Sequence, residues 1–234
     1  MMASDSIVIK RRFCGPPDSG NGGYVCGLLA QRLGDTAEVR LLKPPPLETP
    51  LEISHDRDSG VRLLHGQTVI AEARPIQLDL DVPKPPAFDE ALAAMQGYVS
   101  EDDHFFPTCF VCGPARKAGD GLRIFPGPVT DKGMVASAWV PDETLSDAEG
   151  LVRPEFVWAS LDCPGAFAVL DCCIRPIVLG SLTAEIFDRP VVGQRCIAAG
   201  WPISSQGRKR FAGTALFSEH GRVLARARAV WIEI

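Results

Sequence analysis

Few residues in the chain combine a reactive side chain with an informative setting, and Asp162 is the first of them. It lies in VWASLDCPGAFAVL (157–170), where its helical neighbours Trp158, Ala159, Gly165 and Ala166 include no cation. Burial among such groups raises a carboxyl pKa and suits a general base. The other reading is an Asp that caps a chain break at Pro164-Gly165 or stays solvated. Cys163 follows, but no His lies on either candidate helix to activate it, so a buried core thiol fits better. Gly22-Gly23 opens an apolar run. Glycines at a helix start leave backbone N–H groups within reach of a carbonyl oxygen, and they serve close packing equally well. Asn21 has the side chain of an N-cap. Cys109-x-x-Cys112 invites a zinc reading, yet a structural site needs about four ligands. His104 is near, Cys172-Cys173 are poorly placed to chelate together, and no second spaced pair exists. The expectation is therefore no metal and no other cofactor. Arg11-Arg12 and Arg208-Lys209-Arg210 could meet phosphates, although such short clusters are usually solvated faces.

Those residues need elements to hold them. Ile7–Phe13 reads as a strand, and Tyr24–Leu33 as a helix apolar on almost every face, hence buried. Strands are expected over Ala37–Leu42, Leu51–Ser54, Gly60–Leu64 and Thr68–Leu80, with turns at Pro44-Pro45-Pro46, Asp58-Ser59-Gly60 and His65-Gly66. Residues 83–104 carry Pro83, Pro85, Pro86 and a short helical pattern over Phe88–Tyr98, the composition of a helical linker. Beyond it, Leu122–Phe125 and Met134–Val140 read as strands. Pro154–Leu170 reads as one helix, with Phe156, Ser160, Cys163, Phe167 and Leu170 at helical spacing and Pro154 suited to its first turn. Strands follow over Leu182–Phe187, Arg195–Pro202, Lys209–Ser218 and Val223–Ile234.

Composition narrows the class. The 234 residues are 46% hydrophobic and 23% charged, ordinary for a folded protein, with 22 Gly and 20 Pro that imply many turns. Twenty-four Lys+Arg against 29 Asp+Glu give a net charge of -5, without the basic footprint of a nucleic-acid binder. No apolar run reaches the roughly 18 residues of a membrane span, and MMASDSIVIKRRF has no signal-peptide core. Eight cysteines without an export signal are expected to be reduced thiols in the cytoplasm.

The two halves repeat each other. Thr68–Arg74 (TVIAEAR) matches Arg222–Arg228 (RVLARAR), each after a His-Gly turn, and Lys43-Pro44 corresponds to Arg189-Pro190. An internal duplication accounts for this. GNGGYVCGLLAQRL (20–33), CFVCGPARKAGDGLRIFPGP (109–128), VWASLDCPGAFAVL (157–170) and GTALFSEHGRVLARARAVWI (213–232) together resemble the double-hotdog, acyl-CoA-thioesterase-like proteins. The resemblance implies an α+β fold, a tandem hotdog whose antiparallel sheet wraps around two central helices. The expected units are 1–82, the linker 83–104, and 105–234. They would form an internal pseudo-dimer, with further association through outer sheet faces left open.

In that superfamily a Gly-Gly pair at the start of the central helix polarises the thioester carbonyl. An acid eight positions after the first Gly, on the partner unit's helix, activates water or attacks. By that spacing the first half has Gly22-Gly23 but Ala30 at the acid position, and the second has Pro154-Glu155 but Asp162. The resemblance thus implies one composite site of Gly22, Gly23 and Asp162, with Asn21, Tyr24, Trp158 and Thr183 toward an acyl-CoA or similar thioester. The usual His is Asn21 here. Related enzymes hold the water with a hydroxyl and a Gln; Ser181 and Thr183 are present, but the final ARARAVW strand has no Gln. Two functions follow from this: an acyl thioester hydrolase, or a non-catalytic acyl or lipid-like ligand-binding protein. A hydratase ranks last, because His55, His65, His104 and His220 fall in turns or the linker.

Overall fold

The structure is a computed structural model that describes residues 5–34, 36–55, 60–170 and 176–234. Asp58 and Ser59 of one expected turn, and the Cys172-Cys173 pair, lie outside the described residues.

Among the described residues, eleven strands form one sheet. They are β1 (Ser6–Val8), β2 (Thr36–Leu41), β3 (Pro50–His55), β4 (Val61–His65), β5 (Thr68–Pro75), β6 (Gly127–Val129), β7 (Met134–Trp139), β8 (Ile177–Ile186), β9 (Cys196–Gln206), β10 (Lys209–Ser218) and β11 (Val223–Glu233). Their order is β1-β3-β4-β5-β2-β8-β11-β10-β9-β7-β6, and every ladder is antiparallel. Outward from the central β2–β8 ladder, β2, β5, β4, β3, β1 run one way and β8, β11, β10, β9, β7 the other. The two halves therefore use their strands in the same order, with β6 added at one edge. The His-Gly turns join β4 to β5 and β10 to β11. Gly66 and Gly221 adopt φ of 56° and 82° there, a conformation that glycine tolerates best.

Four helices accompany the sheet among the described residues: α1 (Gly22–Ala30), α2 (Phe88–Ala94), α3 (Pro154–Ser160) and α4 (Cys163–Val169). None is long and apolar enough to cross a membrane. α1, α3 and α4 lie on the main core, which includes Val25, Leu29, Phe156, Leu161 and Leu182. On β9, Cys196 and Ala198 belong to that core, while Ile197 and Ala199 point into a second cluster with Ala91 and Ala94 of α2. Alternation along the strand thus gives the second half two packed faces. The linker helix covers the outer one.

Several sequence expectations shift: α1 ends at Ala30, β8 begins earlier, at Ile177, β9 runs on to Gln206, and four other differences have a visible cause. The first strand ends at Val8, and Arg11–Phe13 makes a 3-10 turn. Phe13 turns inward to stack on Tyr24 at 4.2 Å, which draws the chain off the sheet edge. Leu122–Phe125 forms no strand, since the N–H groups of Leu122 and Ile124 go to the carbonyls of Phe110 and Val111. The strand expected over Thr68–Leu80 stops at Pro75, where the ladder loses a donor. The helix expected over 154–170 breaks between Ser160 and Cys163. Pro164 has no N–H to donate back and its ring crowds the preceding turn.

The break exposes a buried carbonyl that folding must satisfy. Thr214 on β10 donates its hydroxyl to the Leu161 carbonyl at 2.8 Å. Thr214→Val keeps the volume and orphans that carbonyl. Its expected cost is about 1–3 kcal/mol, read as a lowered urea midpoint with an unchanged m-value. An unchanged midpoint would show that the break is satisfied in another way.

Candidate functional site

The site forms where the start of α1 meets the break between α3 and α4. Asn21 caps α1, its Oδ1 accepting from the Tyr24 N–H at 2.9 Å. Gly23 and Gly27 form the face of α1 that meets α3. A β-carbon on Gly23 would lie 2.6 Å from Asp162 Cβ and 2.9 Å from the Trp158 carbonyl oxygen. Only a hydrogen fits there, so the two helices approach backbone to backbone and Asp162 reaches the first turn of α1.

Asp162 is 2% exposed. Its Oδ2 accepts from Asn21 Nδ2 at 2.7 Å and from the Gly23 N–H at 3.1 Å. Its Oδ1 is buried and has no hydrogen-bond partner among the described residues. The carboxylate caps no N–H of its own helix, although Asp162 stands at the N-cap of α4. Burial pushes its pKa up to about 7, the nearby Cys109 adds to the rise, and the Gly23 and Asn21 donors oppose it. A carboxyl anchored by one oxygen with the other unpartnered can take a proton from a molecule placed beside it.

Beside it opens a cavity of about 610 Å³. Asn21, Gly22 and Asp162 line it, and Leu41, Phe167, Leu179 and Ile232 contribute apolar wall. Lys43 is the lysine or arginine that lines it among the described residues. The basic pairs lie elsewhere. Arg12 donates to the carbonyls of Gly119 and Asp120, and Arg210 pairs with Glu233.

The expected site residues are thus divided. Asn21, Gly22 and Asp162 line the cavity, and Gly23 reaches it through its N–H to Asp162. Tyr24 lies in a cluster of rings with Phe13 and Phe156, and Trp158 packs at Gly27 on the α1–α3 interface. Neither lines the cavity. Thr183 sits in the ladder between Glu38 and Arg228, on the sheet face that bears those charges. A register irregularity around Gly180 gives Leu179 and Leu182 the same facing and leaves Thr183 outward. Pro154, Glu155 and Ala30 do not line the cavity. Glu155 accepts from Gln31 Nε2 and pairs with Arg153 instead.

Sequence reasoning passed over several residues that line the cavity. Trp231 on β11 has a buried indole N–H with no hydrogen-bond partner among the described residues. His104, read as part of a connector, is 9% exposed and forms cavity wall. Its Nδ1 accepts from the Phe106 N–H at 2.9 Å, which leaves Nε2 to donate to Tyr98 Oη at 2.8 Å. The sulfurs of Cys109, Cys112 and Cys163 lie within 4.8 Å of one another. Cys109 accepts from the other two thiols and from the backbone N–H groups of Val111 and Cys112, which hold its pKa well below the usual thiol value. The expected shortage of ligands around Cys109-x-x-Cys112 weighed His104 and Cys172-Cys173 but not Cys163, which the fold adds from α4.

No protein-family model and no curated protein matches the sequence. Solved structures match nearly the whole chain. A tesB protein of Mycobacterium avium subspecies paratuberculosis superposes with a TM-score of 0.62 at 12% identity, over 94% of this chain and 89% of that one. An acyl-CoA thioesterase II of Mycobacterium marinum gives 0.61 at 12%, over 98% and 92%. A protein of Alicyclobacillus acidocaldarius described as having a hot dog fold gives 0.62 at 11%, over 98% and 92%. At such identities the likeness is one of fold, and it agrees with the antiparallel sheet and its buried helices.

Proposed function

We propose that the chain is a tandem hotdog hydrolase of acyl thioesters, with units 1–82 and 105–234 and one composite site between them. The observation that carries this reading is Asp162. One oxygen is anchored by the α1 start, the other is buried without a partner, and the residue lines an apolar cavity of about 610 Å³. The thioester carbonyl would rest against the Gly22 N–H at the positive end of α1, with Asp162 taking the proton of an attacking water or attacking directly. The acyl chain would run along Leu41, Phe167 and Leu179. The Mycobacterium marinum protein of the same fold is named an acyl-CoA thioesterase, which supports the same substrate class.

One observation favours the second reading, an acyl-binding protein without turnover. The Gly23 N–H is already committed to Asp162, which removes a donor from any developing oxyanion. Thiol release from a panel of acyl-CoA thioesters of graded length decides between them. Release well above the uncatalysed rate supports hydrolysis. Tight binding without release supports the second reading, and neither binding nor release overturns both. Where turnover is found, Phe167→Ala is expected to move the kcat/KM preference toward longer acyl chains by about tenfold. An unmoved preference would show that the acyl chain does not lie against Phe167.

A further inference from the structure

We propose that Cys109, Cys112 and Cys163, completed by Nε2 of His104, form a tetrahedral zinc site that ties the 104–112 loop to the first turn of α4. The spacings fit. Two sulfurs at about 2.3 Å from a tetrahedral zinc stand about 3.8 Å apart, and a sulfur and an imidazole nitrogen stand about 3.5 Å apart. Cys109 Sγ lies 3.8 Å from Cys163 Sγ, and Cys112 Sγ lies 3.5 Å from His104 Nε2. Three thiolates with one imidazole are a donor set for a soft-tolerant d¹⁰ ion, not for magnesium or calcium.

The loop is shaped for this before any ion arrives. The N–H groups of Val111 and Cys112 point at Cys109 Sγ, and the Gly113 N–H closes the turn onto the Cys109 carbonyl at 2.9 Å. A β-carbon at Gly113 would lie 2.5 Å from the Cys109 and Pro107 carbonyl oxygens, so the turn requires glycine. All three thiols are buried at the cavity wall, within reach of an ion that enters through the cavity. Zinc entry releases the remaining thiol protons. Ligation through Nε2 puts the ring proton on Nδ1, so His104 exchanges its contacts with the Phe106 N–H and Tyr98 Oη for the metal. The bland alternative, a set of buried core thiols, leaves unexplained why they converge from two distant segments at ligand spacing. A Cys109–Cys163 disulfide would need the sulfurs to close from 3.8 Å to a bonded separation of about 2.05 Å.

The test uses the full chain, produced in zinc-supplemented medium and analysed for metal without chelators. About one zinc per chain is expected. Zinc K-edge absorption should show three sulfur neighbours and one nitrogen at about 2.3 and 2.0–2.1 Å. Cobalt added to the chelated protein should give the visible bands of a tetrahedral site and a thiolate-to-cobalt band in the near ultraviolet. Cys112→Ser and Cys163→Ser should each cut zinc retention against a competing chromophoric chelator by at least about tenfold, since loss of even an outer-shell partner costs about 10–100-fold. Absence of zinc from the wild-type chain together with no cobalt uptake overturns the site, and needs no variant to fold. A mass two units lower with a Cys109–Cys163 peptide pair overturns it too. His104→Ala with an unchanged cobalt spectrum overturns the assignment of the fourth ligand.

Discussion

Asp162→Asn is expected to lower acyl-CoA turnover by about 10²–10⁴-fold, the usual contribution of a positioned general base. The amide has nearly the same size, and its oxygen still accepts from Asn21 Nδ2 and the Gly23 N–H, the two bonds that orient the native side chain. The anchoring of α1 to the helix break therefore survives, while the second position no longer takes a proton. Melting within about 3 °C of wild type should accompany the loss, since a change near 1 kcal/mol moves a chain of this size by about 2–4 °C. Turnover within a factor of a few of wild type would remove Asp162 from the chemistry. A collapse in melting temperature would show that the carboxylate is a structural link between helices.

Gly27→Val is expected to give the largest loss of stability. A β-carbon there would lie 2.6 Å from Glu155 Cα and 2.8 Å from Trp158 Cβ. The first is backbone of α3, so no side-chain rotation relieves it, and the helices must part. Overpacking in a well-packed core costs about 1–3 kcal/mol, more where backbone must move. About 3 kcal/mol corresponds to a melting temperature lower by about 6–12 °C. The same separation withdraws the start of α1 from Asp162, so any turnover should fall with stability. A variant that melts within about 2 °C of wild type would show that α1 and α3 do not meet at Gly27 in solution.

Some of this site was legible because it is local. Asn21 caps α1 as its type and place indicate, since the partner N–H is three residues away. The His-Gly turns and the repeated tail became matching hairpins because turn chemistry and two-residue alternation act within a few positions. Pro75 and Pro164 carry an equally local signal, a missing donor, yet the expected strand and helix ran through both, and the structure cut them there. Asp162 stood out because it is an acid in an apolar helical stretch. By itself, the order of residues determined that there would be a buried glycine-led helix, a second helical stretch carrying Asp162, and strands enough for a large antiparallel sheet; the break at 161–162 came from the structure.

What the tertiary structure decided is every partnership across distance. Asp162 meets Gly23 and Asn21 from 139 and 141 positions away, and Cys163 meets Cys109 from 54. No periodicity encodes such pairs, because they depend on how closely two helices pack, and that was set by the hydrogen side chains of Gly23 and Gly27. The facing of Thr183 depended on an irregularity at Gly180 that shifts the alternation by one. His104 became cavity wall because the linker helix packs against the outer sheet face, so its trailing segment crosses to the inner core. Local chemistry names the parts; the packing of backbone on backbone decides which of them touch.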